Sequence, residues 1–169
     1  MSLGQAGQTT HIRTSRQFGG GVAFVLEPAL EAIDYGRLEI ERHLQARNLS
    51  PKALNRLEVM FEELVSNVVR HGLDPKREHS ILVTLSSDDH EIRLAIEDDG
   101  LPFDPFALAE SAPPRSLEEA AIGGLGIPVV RRMAARTAYE HQPQSPAWDE
   151  LVGGLGPVNR VVVILAVGT

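Results

Sequence analysis

Three short segments hold the residues whose types and spacing could do chemistry. In chain order they are Glu63-Leu-Val-Ser-Asn67, Asp98-Asp-Gly100-Leu-Pro-Phe103 and Gly123-Gly-Leu-Gly126. Each segment alone is weak evidence, because such spacings also arise by chance. Together they supply a carboxylate and an amide oxygen for a metal ion, an acid for the polar edge of a base, and backbone N–H groups for phosphate. Their order therefore predicts a nucleotide-binding site.

The first segment predicts metal and proton-transfer chemistry on one helix. Glu63 and Asn67 lie four positions apart, so they share the flank of the apolar stripe of that helix. Magnesium prefers oxygen ligands and often shares them with substrate phosphates, which makes the Asn67 amide oxygen the candidate metal ligand. Glu63 is the candidate base for an attacking hydroxyl or water, whereas Glu62 points about 100° away around the helix. The alternative is a solvated glutamate and an asparagine near a helix end.

The second segment predicts recognition of a base. Asp98 follows a predicted strand, and its carboxylate could accept a hydrogen bond from an exocyclic amine such as that of adenine. Gly100 would let a flat ring approach the backbone. The alternative is an ordinary Asp-Gly turn that Pro102 makes rigid. Phe103 fits a core position and a ring-stacking position equally well.

The third segment predicts a phosphate site. The glycines Gly123-Gly-Leu-Gly126 precede a predicted helix, whose first N–H groups and positive end attract anions. The same four letters recur at Gly153-Gly-Leu-Gly156, but Pro157 and a strand follow, so that copy is predicted to be a turn. The proline-containing residues 104–122 are predicted to form a mobile lid, in which Arg115 could contact phosphate.

The elements that must position these segments follow from apolar patterns and capping signals. Residues 1–17 are polar and are predicted to be a loose tail, followed by one domain over residues 18–169. The patterns predict strands at 22–26, 81–85, 92–96 and 160–166, helices at 28–48, 51–71 and 127–137, and a polar loop within 142–157. Helices together with antiparallel strands indicate a two-layer α/β sandwich (α+β), with a mixed, largely antiparallel sheet and the helices on one face.

The composition excludes several classes of function. With 16 basic and 23 acidic residues the formal charge is -7, so a nucleic-acid backbone is an unsuitable partner. The chain has no cysteine, which excludes disulfides, thiolate catalysis and zinc–thiolate sites. No apolar run approaches the ~20 residues of a membrane span, and the first residues lack the pattern of a signal peptide. We therefore expect a cytoplasmic protein that contacts no membrane.

A family resemblance joins the three segments. The order E-L-V-S-N-V-V-R-H-G, D-D-G-L-P-F-D-P and G-G-L-G-I-P-V-V-R-R-M resembles the ATP-binding domain of bacterial anti-sigma regulatory factors, which are serine-protein kinases of the GHKL superfamily. The resemblance covers roughly residues 18 to 166 and implies the Bergerat-type, histidine-kinase-like ATP-binding fold. It implies ATP and Mg²⁺ as cofactors, with Glu63 as catalytic base, Asn67 as magnesium ligand and Asp98 as the acid that reads adenine. The other nucleotide-site residues that it implies are His71, Gly100, Phe103, Gly123, Gly124, Leu125, Gly126 and Ile127.

The resemblance also implies a function in transcription regulation. Dimeric members of that family hold a sigma factor away from RNA polymerase and phosphorylate a serine of a STAS-domain anti-anti-sigma protein. A kinase with these partners, forming a homodimer, is therefore the first expectation. The second is a non-catalytic, ATP-responsive binding module of the same fold, and a sensor histidine kinase ranks third because no phospho-accepting helix or membrane segment precedes the domain. Three features depart from the family pattern: Val162 where many members carry threonine, Pro128 in the glycine-loop helix, and a long segment from 142 to 157.

Overall fold

Six antiparallel strands form the single sheet of a computed structural model that describes residues 11–107 and 126–167. The strand order is β1-β2-β3-β4-β6-β5. The strands are β1 (Ile12–Phe18), β2 (Gly21–Leu26), β3 (Ile81–Ser87), β4 (Glu91–Asp98), β5 (Arg136–Pro143) and β6 (Pro157–Ala166). The helices are α1 (Ala32–Leu44), α2 (Pro51–Asn67), α3 (Gly126–Met133) and α4 (Pro146–Leu151), with a 3-10 turn at Gln45–Arg47 and a π turn at Val68–Gly72. The predicted two-layer α/β architecture is confirmed.

Helix α2 begins where its sequence signals indicate, and the π turn that continues it from Val68 ends at Gly72, the predicted stop. The Ser50 hydroxyl accepts a hydrogen bond from Ala53 N, and Pro51 occupies the first turn, where no partner for its nitrogen is needed. Its apolar stripe is buried against the sheet and comprises Leu57, Phe61, Leu64, Val65 and, in the π turn, Val68. A methyl group on Gly36 would overlap the Phe61 ring, so that glycine permits α1 to pack closely on α2. Within the two described ranges no helix has the length and apolar character needed to cross a bilayer.

The opposite face of the sheet is partly covered by α4, in a segment for which the sequence predicts a polar loop. Trp148 of α4 is 2% exposed and packs against Ala23, Val25, Leu82 and Val158. Its Nε1 donates to the Gly153 carbonyl oxygen at 3.1 Å. The segment from 142 to 157 therefore builds a second, smaller core, and the helices are not confined to one face.

Two further predictions about elements were wrong. Residues 12–17 belong to strand β1 rather than to a loose tail, because their backbone pairs with β2 along the edge of the sheet. The third predicted helix ends at Met133 instead of continuing to Thr137, and Arg136–Pro143 forms β5. Both strands are sheet edges with mostly exposed side chains, so neither has the apolar run by which a buried strand is predicted.

Candidate nucleotide site

A small cavity lies where β4 ends beside the last turn of α2. Its lining comprises Leu64, Asn67, Val68 and Gly72 from α2 and the π turn, Asp98, Leu101, Phe103 and Pro105 from β4 and the following turn, and Asn159 and Val161 from β6. The cavity measures about 20 Å³, which is room for a water molecule. The fold thus brings together Asn67, Asp98 and Phe103, which are far apart in the sequence.

Asp98 is a buried carboxylate with one oxygen held by two hydrogen bonds. It is 4% exposed, and Oδ1 accepts hydrogen bonds from Gly100 N at 2.9 Å and from Asn159 Nδ2 at 3.0 Å. Across the described part of the chain, Oδ2 has no hydrogen-bond partner, and Asp98 borders the cavity. Burial raises the pKa of Asp98, and the hydrogen bonds from Asn159 and Gly100 lower it. This arrangement can accept a donor from a ligand in the cavity.

Position 100 requires glycine because the backbone of Gly72 lies too close for a side chain. A methyl group there would overlap the Gly72 carbonyl oxygen and lie 2.7 Å from Asp98 Oδ1. The next residue, Leu101, donates its N–H to the same Gly72 oxygen at 2.8 Å. The turn after β4 is therefore held against the π turn that ends α2. His71 precedes Gly72 in that π turn, but its side chain is exposed and does not line the cavity.

Asn159 lines the cavity and Tyr139 donates a hydrogen bond to Asn159, and neither residue was predicted from the sequence. Asn159 lies directly opposite Asp98 in the β4–β6 ladder and is 3% exposed. Its Nδ2 also donates to the Leu101 carbonyl oxygen at 2.9 Å, and its Oδ1 accepts from the Tyr139 hydroxyl at 2.8 Å. The Tyr139 oxygen in turn accepts from Phe103 N at 3.1 Å. An asparagine inside an apolar strand was the available signal, but its meaning depends on the register of β6 against β4.

Val162, which the family resemblance places near the adenine as the counterpart of the family's threonine, does not line this cavity, so that prediction was wrong. Val162 packs with Ala95 and Ile164 on the other face of the sheet. Because side chains alternate along a strand, the cavity side of β6 carries Asn159 and Val161 instead. The polar partner of Asp98 on this strand is therefore Asn159.

Glu63 lies next to the start of α3 and outside the lining of the cavity. A methyl group on Gly126 would overlap Glu63 Oε2 and lie 2.7 Å from its carboxyl carbon, so the carboxylate packs on the first residue of α3. Burial raises the pKa of Glu63, as does repulsion from Glu62, while Arg70 lowers it. The Glu62 side chain is exposed and pairs with Arg37 at 3.4 Å. A separate polar groove between α1 and α2 contains both glutamates and Arg70.

The predicted phosphate loop is described only in part. The structure describes residues 104–107 of the lid predicted over 104–122. The rest of that lid, with Arg115, lies outside the described residues, as do Gly123, Gly124 and Leu125. Gly126 begins α3, and Ile127 is partly buried against the helix-side core, with Pro128 following in the first turn. In the described ranges no cluster of three or more His, Cys, Asp or Glu side chains could hold a metal ion. Magnesium held by Asn67 would therefore need further oxygen ligands from a nucleotide or from water.

Comparison with known proteins shows the family to which this chain belongs. Residues 26–147, most of the chain, match the family described as Histidine kinase-like ATPase domain, and the match includes Glu63, Asn67 and Asp98. The chain belongs to this family. The predicted resemblance to the GHKL superfamily is therefore confirmed.

Two curated relatives of this ATPase domain are named as kinases. Serine/threonine-protein kinase BtrW of Bordetella bronchiseptica is 28% identical over 95 residues, which are 56% of this chain and 65% of BtrW. Signal transduction histidine-protein kinase AfsQ2 of Streptomyces coelicolor is 34% identical over 134 residues, which are 74% of this chain and 21% of AfsQ2. The chain thus spans less than two thirds of the length of either relative. A solved histidine kinase domain from the Erythrobacter litoralis EL346 blue-light activated histidine kinase matches 84% of this chain and 62% of that chain, at 13% identity and a TM-score of 0.46.

Proposed function

We propose that this chain binds ATP with Mg²⁺ and transfers the γ-phosphate to a serine of a partner protein. The observation that carries the proposal is the buried Asp98 carboxylate, which lines a cavity together with Asn67 and whose Oδ2 has no hydrogen-bond partner among residues 11–107 and 126–167. A free carboxylate oxygen can accept the 6-amino group of adenine. Asn67 lines the same cavity, and its side-chain amide oxygen is of the kind that binds magnesium together with phosphates.

In the proposed reaction the chain's own residues position ATP and move one proton. Asp98 would hold the base, and Asn67 would hold Mg²⁺, which offsets the charge on the phosphates. Glu63 would accept the proton of the serine hydroxyl. The serine oxygen would form a bond to the γ-phosphorus while the bond between that phosphorus and the ADP oxygen breaks. The raised pKa of Glu63 suits a base, because a proton acceptor works best with a pKa near the working pH.

The proposed biological role is that of an anti-sigma factor. We infer that the substrate is a STAS-domain anti-anti-sigma protein and that a sigma factor is sequestered by the same chain, acting as a cytoplasmic homodimer. Two lines of support exist: the sequence resemblance to anti-sigma regulatory factors, and the similarity to BtrW, which is named a serine/threonine-protein kinase. The acidic balance of the chain supports protein partners over nucleic acid.

Calorimetric titration with ATP tests the binding site. We expect Mg²⁺-dependent binding that Asp98→Asn weakens, because the amide would place a donor against the 6-amino group. Asn67→Ala should remove most of the Mg²⁺-dependent part of the affinity. Asn55→Ala, on an exposed position of the same helix, is the matched control. Equal affinity in all four proteins would contradict the assignment of the site.

A second candidate function is a binding module that responds to ATP without phosphoryl transfer. One observation favours it: the Glu63 carboxylate packs on Gly126 and does not line the nucleotide cavity. Incubation of the purified protein with γ-labelled ATP and candidate STAS proteins separates the two functions. Label on a partner serine supports the kinase, whereas ATP-dependent complex formation without label supports the module.

A further inference from the structure

A continuous hydrogen-bonded chain joins the base-reading carboxylate to the turn that follows it. Asn159 Nδ2 donates to both Asp98 Oδ1 and the Leu101 carbonyl oxygen, at 3.0 and 2.9 Å. The Tyr139 hydroxyl donates to Asn159 Oδ1 at 2.8 Å and accepts from Phe103 N at 3.1 Å. Two side chains from β5 and β6 therefore hold three positions of the segment from Asp98 to Phe103.

These bonds fix the polar wall and the apolar wall of the cavity relative to each other. Asp98, Leu101 and Phe103 all line the cavity, and each makes one hydrogen bond to Asn159 or Tyr139. Because Asn159 and Gly100 both donate to Asp98 Oδ1, the carboxylate cannot turn without breaking two hydrogen bonds. Oδ2 is thereby kept as an acceptor at one place in the site.

We propose that Asn159 and Tyr139 are positioning residues that make the base site select a 6-aminopurine over a 6-oxopurine. The inference rests on the proposed function, because it requires a nucleotide base in this cavity. A fixed carboxylate oxygen attracts the amino group of adenine and repels the carbonyl oxygen of guanine. When the two positioning side chains are removed, Asp98 can turn or take up a proton and donate to a carbonyl oxygen. Selection between ATP and GTP is then weakened.

The charges around Asp98 agree with this role. Burial raises its pKa, Asn159 and Gly100 lower it by hydrogen bonding, Asp99 raises it and His79 lowers it. The cavity residues from α2 and β6 carry no charge, so Asn159 is the main contact that favours the ionised form. Without Asn159, protonation of Asp98 should begin at a higher pH.

The first experiment measures ATP and GTP affinities, each with Mg²⁺, by calorimetry. Tyr139→Phe removes one hydroxyl and keeps the ring, and Asn159→Ala removes the whole amide. We expect each variant to bind ATP about tenfold more weakly, the effect of one lost hydrogen bond of ordinary strength, with a smaller change for GTP. Tyr35→Phe is the matched control, because it alters the other tyrosine of the chain, which is exposed on α1. It should keep the wild-type ratio of ATP to GTP affinity.

The second experiment separates positioning from general support of the fold. In Asn159→Asp two carboxylates face each other, and a shared proton restores a donor to Asp98 Oδ1. ATP affinity relative to wild type should therefore rise as the pH falls in Asn159→Asp and decline in Asn159→Ala. A residue that only supports the fold would lower ATP and GTP affinities equally at every pH.

The outcomes distinguish this inference from the proposed function. If wild type binds no ATP, or Asp98→Asn binds it unchanged, the nucleotide site itself is wrong. If wild type and Asp98→Asn behave as expected but Tyr139→Phe retains the full preference for ATP over GTP, the positioning role alone is overturned. Tyr139→Phe keeps the test decisive even if the Asn159 variants do not fold, because the substitution creates no cavity.

Discussion

Two neighbouring glutamates on α2 provide a test at the level of single residues. Glu63→Gln keeps the shape of the side chain but cannot accept a proton, so we expect ATP affinity to be unchanged and phosphoryl transfer to fall by about 10²-fold or more. Glu62→Gln should transfer at nearly the wild-type rate at neutral pH, because Glu62 is exposed and pairs with Arg37. Single-turnover transfer from labelled ATP measures both. Undiminished transfer by Glu63→Gln would show that another group accepts the proton or that none is needed.

The pH dependence of transfer gives a second test at the same residue. Burial first and Glu62 second raise the pKa of Glu63, and only the deprotonated form can act as a base. As the pH falls, wild-type transfer should therefore be lost at a higher pH than an ordinary glutamate would give. Removing the neighbouring charge in Glu62→Gln should move this loss to lower pH. A pH–rate profile from about pH 4 to 8 measures the shift, and coincident profiles would contradict it.

Residues of the candidate site could be predicted from their chemical type, but the side chains that hydrogen-bond to them could not. Asn67 and Asp98 could be chosen because an amide four residues after a glutamate and an acid at a strand end suggest chemistry. Asn159 could not, because its role depends on lying opposite Asp98, and that register cannot be read from the sequence. Because the register was unknown, Val162 was predicted near the adenine, although its side chain lies on the opposite face of the sheet.

At the level of elements, the residue that caps helix α4 makes one more hydrogen bond than the residue that caps α2. Ser145 Oγ accepts from Trp148 N at 3.1 Å and donates to Glu97 Oε2 at 2.7 Å, whereas among the described residues Ser50 Oγ has one partner, Ala53 N. Ser50→Ala should therefore destabilise the protein by about 1 kcal/mol and Ser145→Ala by about 2–3 kcal/mol. Urea unfolding of the two variants measures the difference, and equal losses would contradict the role of the Glu97 bond.

The sign of the pH effect on Ser145→Ala follows from Glu97. Glu97 is 2% exposed, and burial raises its pKa, while the hydrogen bond from Ser145 lowers it. The bond thus favours the charged form, so its contribution is present at neutral pH and decreases as Glu97 becomes protonated at lower pH. The cost of Ser145→Ala should be larger at neutral pH than near pH 5, whereas the cost of Ser50→Ala should vary little.

The elements that were predicted correctly are those with a buried face. Strands β2, β3 and β4 have continuous or alternating apolar residues, and α2 has both a cap and a stripe. Edge strands β1 and β5 lack such a pattern, because hydrogen bonding to one neighbour stabilises them while most side chains face solvent. The start signal of α4, Ser145-Pro146, repeats that of α2, Ser50-Pro51, so this helix could have been predicted.

At the level of the whole molecule, the helix-side core and the core around Trp148 share the same strands. Along β2, Val22, Phe24 and Leu26 contribute to the helix-side core, while Ala23 and Val25 contribute to the core around Trp148. If β2 separates from the sheet, its side chains leave the helix-side core and the core around Trp148 at the same time. We therefore expect the sheet and both of its covers to unfold together.

Trp148, the single tryptophan of the chain, makes this cooperativity measurable, because its fluorescence reports the core around it while far-UV circular dichroism reports the helices. The two signals should give coincident urea transitions. Leu57→Ala, in the helix-side core, should lower both midpoints equally at a cost of about 2–5 kcal/mol, whereas Leu155→Ala, at a fully exposed position, should change neither. ATP at about 100 times its Kd should raise the stability seen by both signals by about 2.7 kcal/mol, although Trp148 lies across the sheet from the helices. A fluorescence transition that precedes the loss of helix, or that ignores Leu57→Ala, would show that the face covered by α4 unfolds as a separate unit.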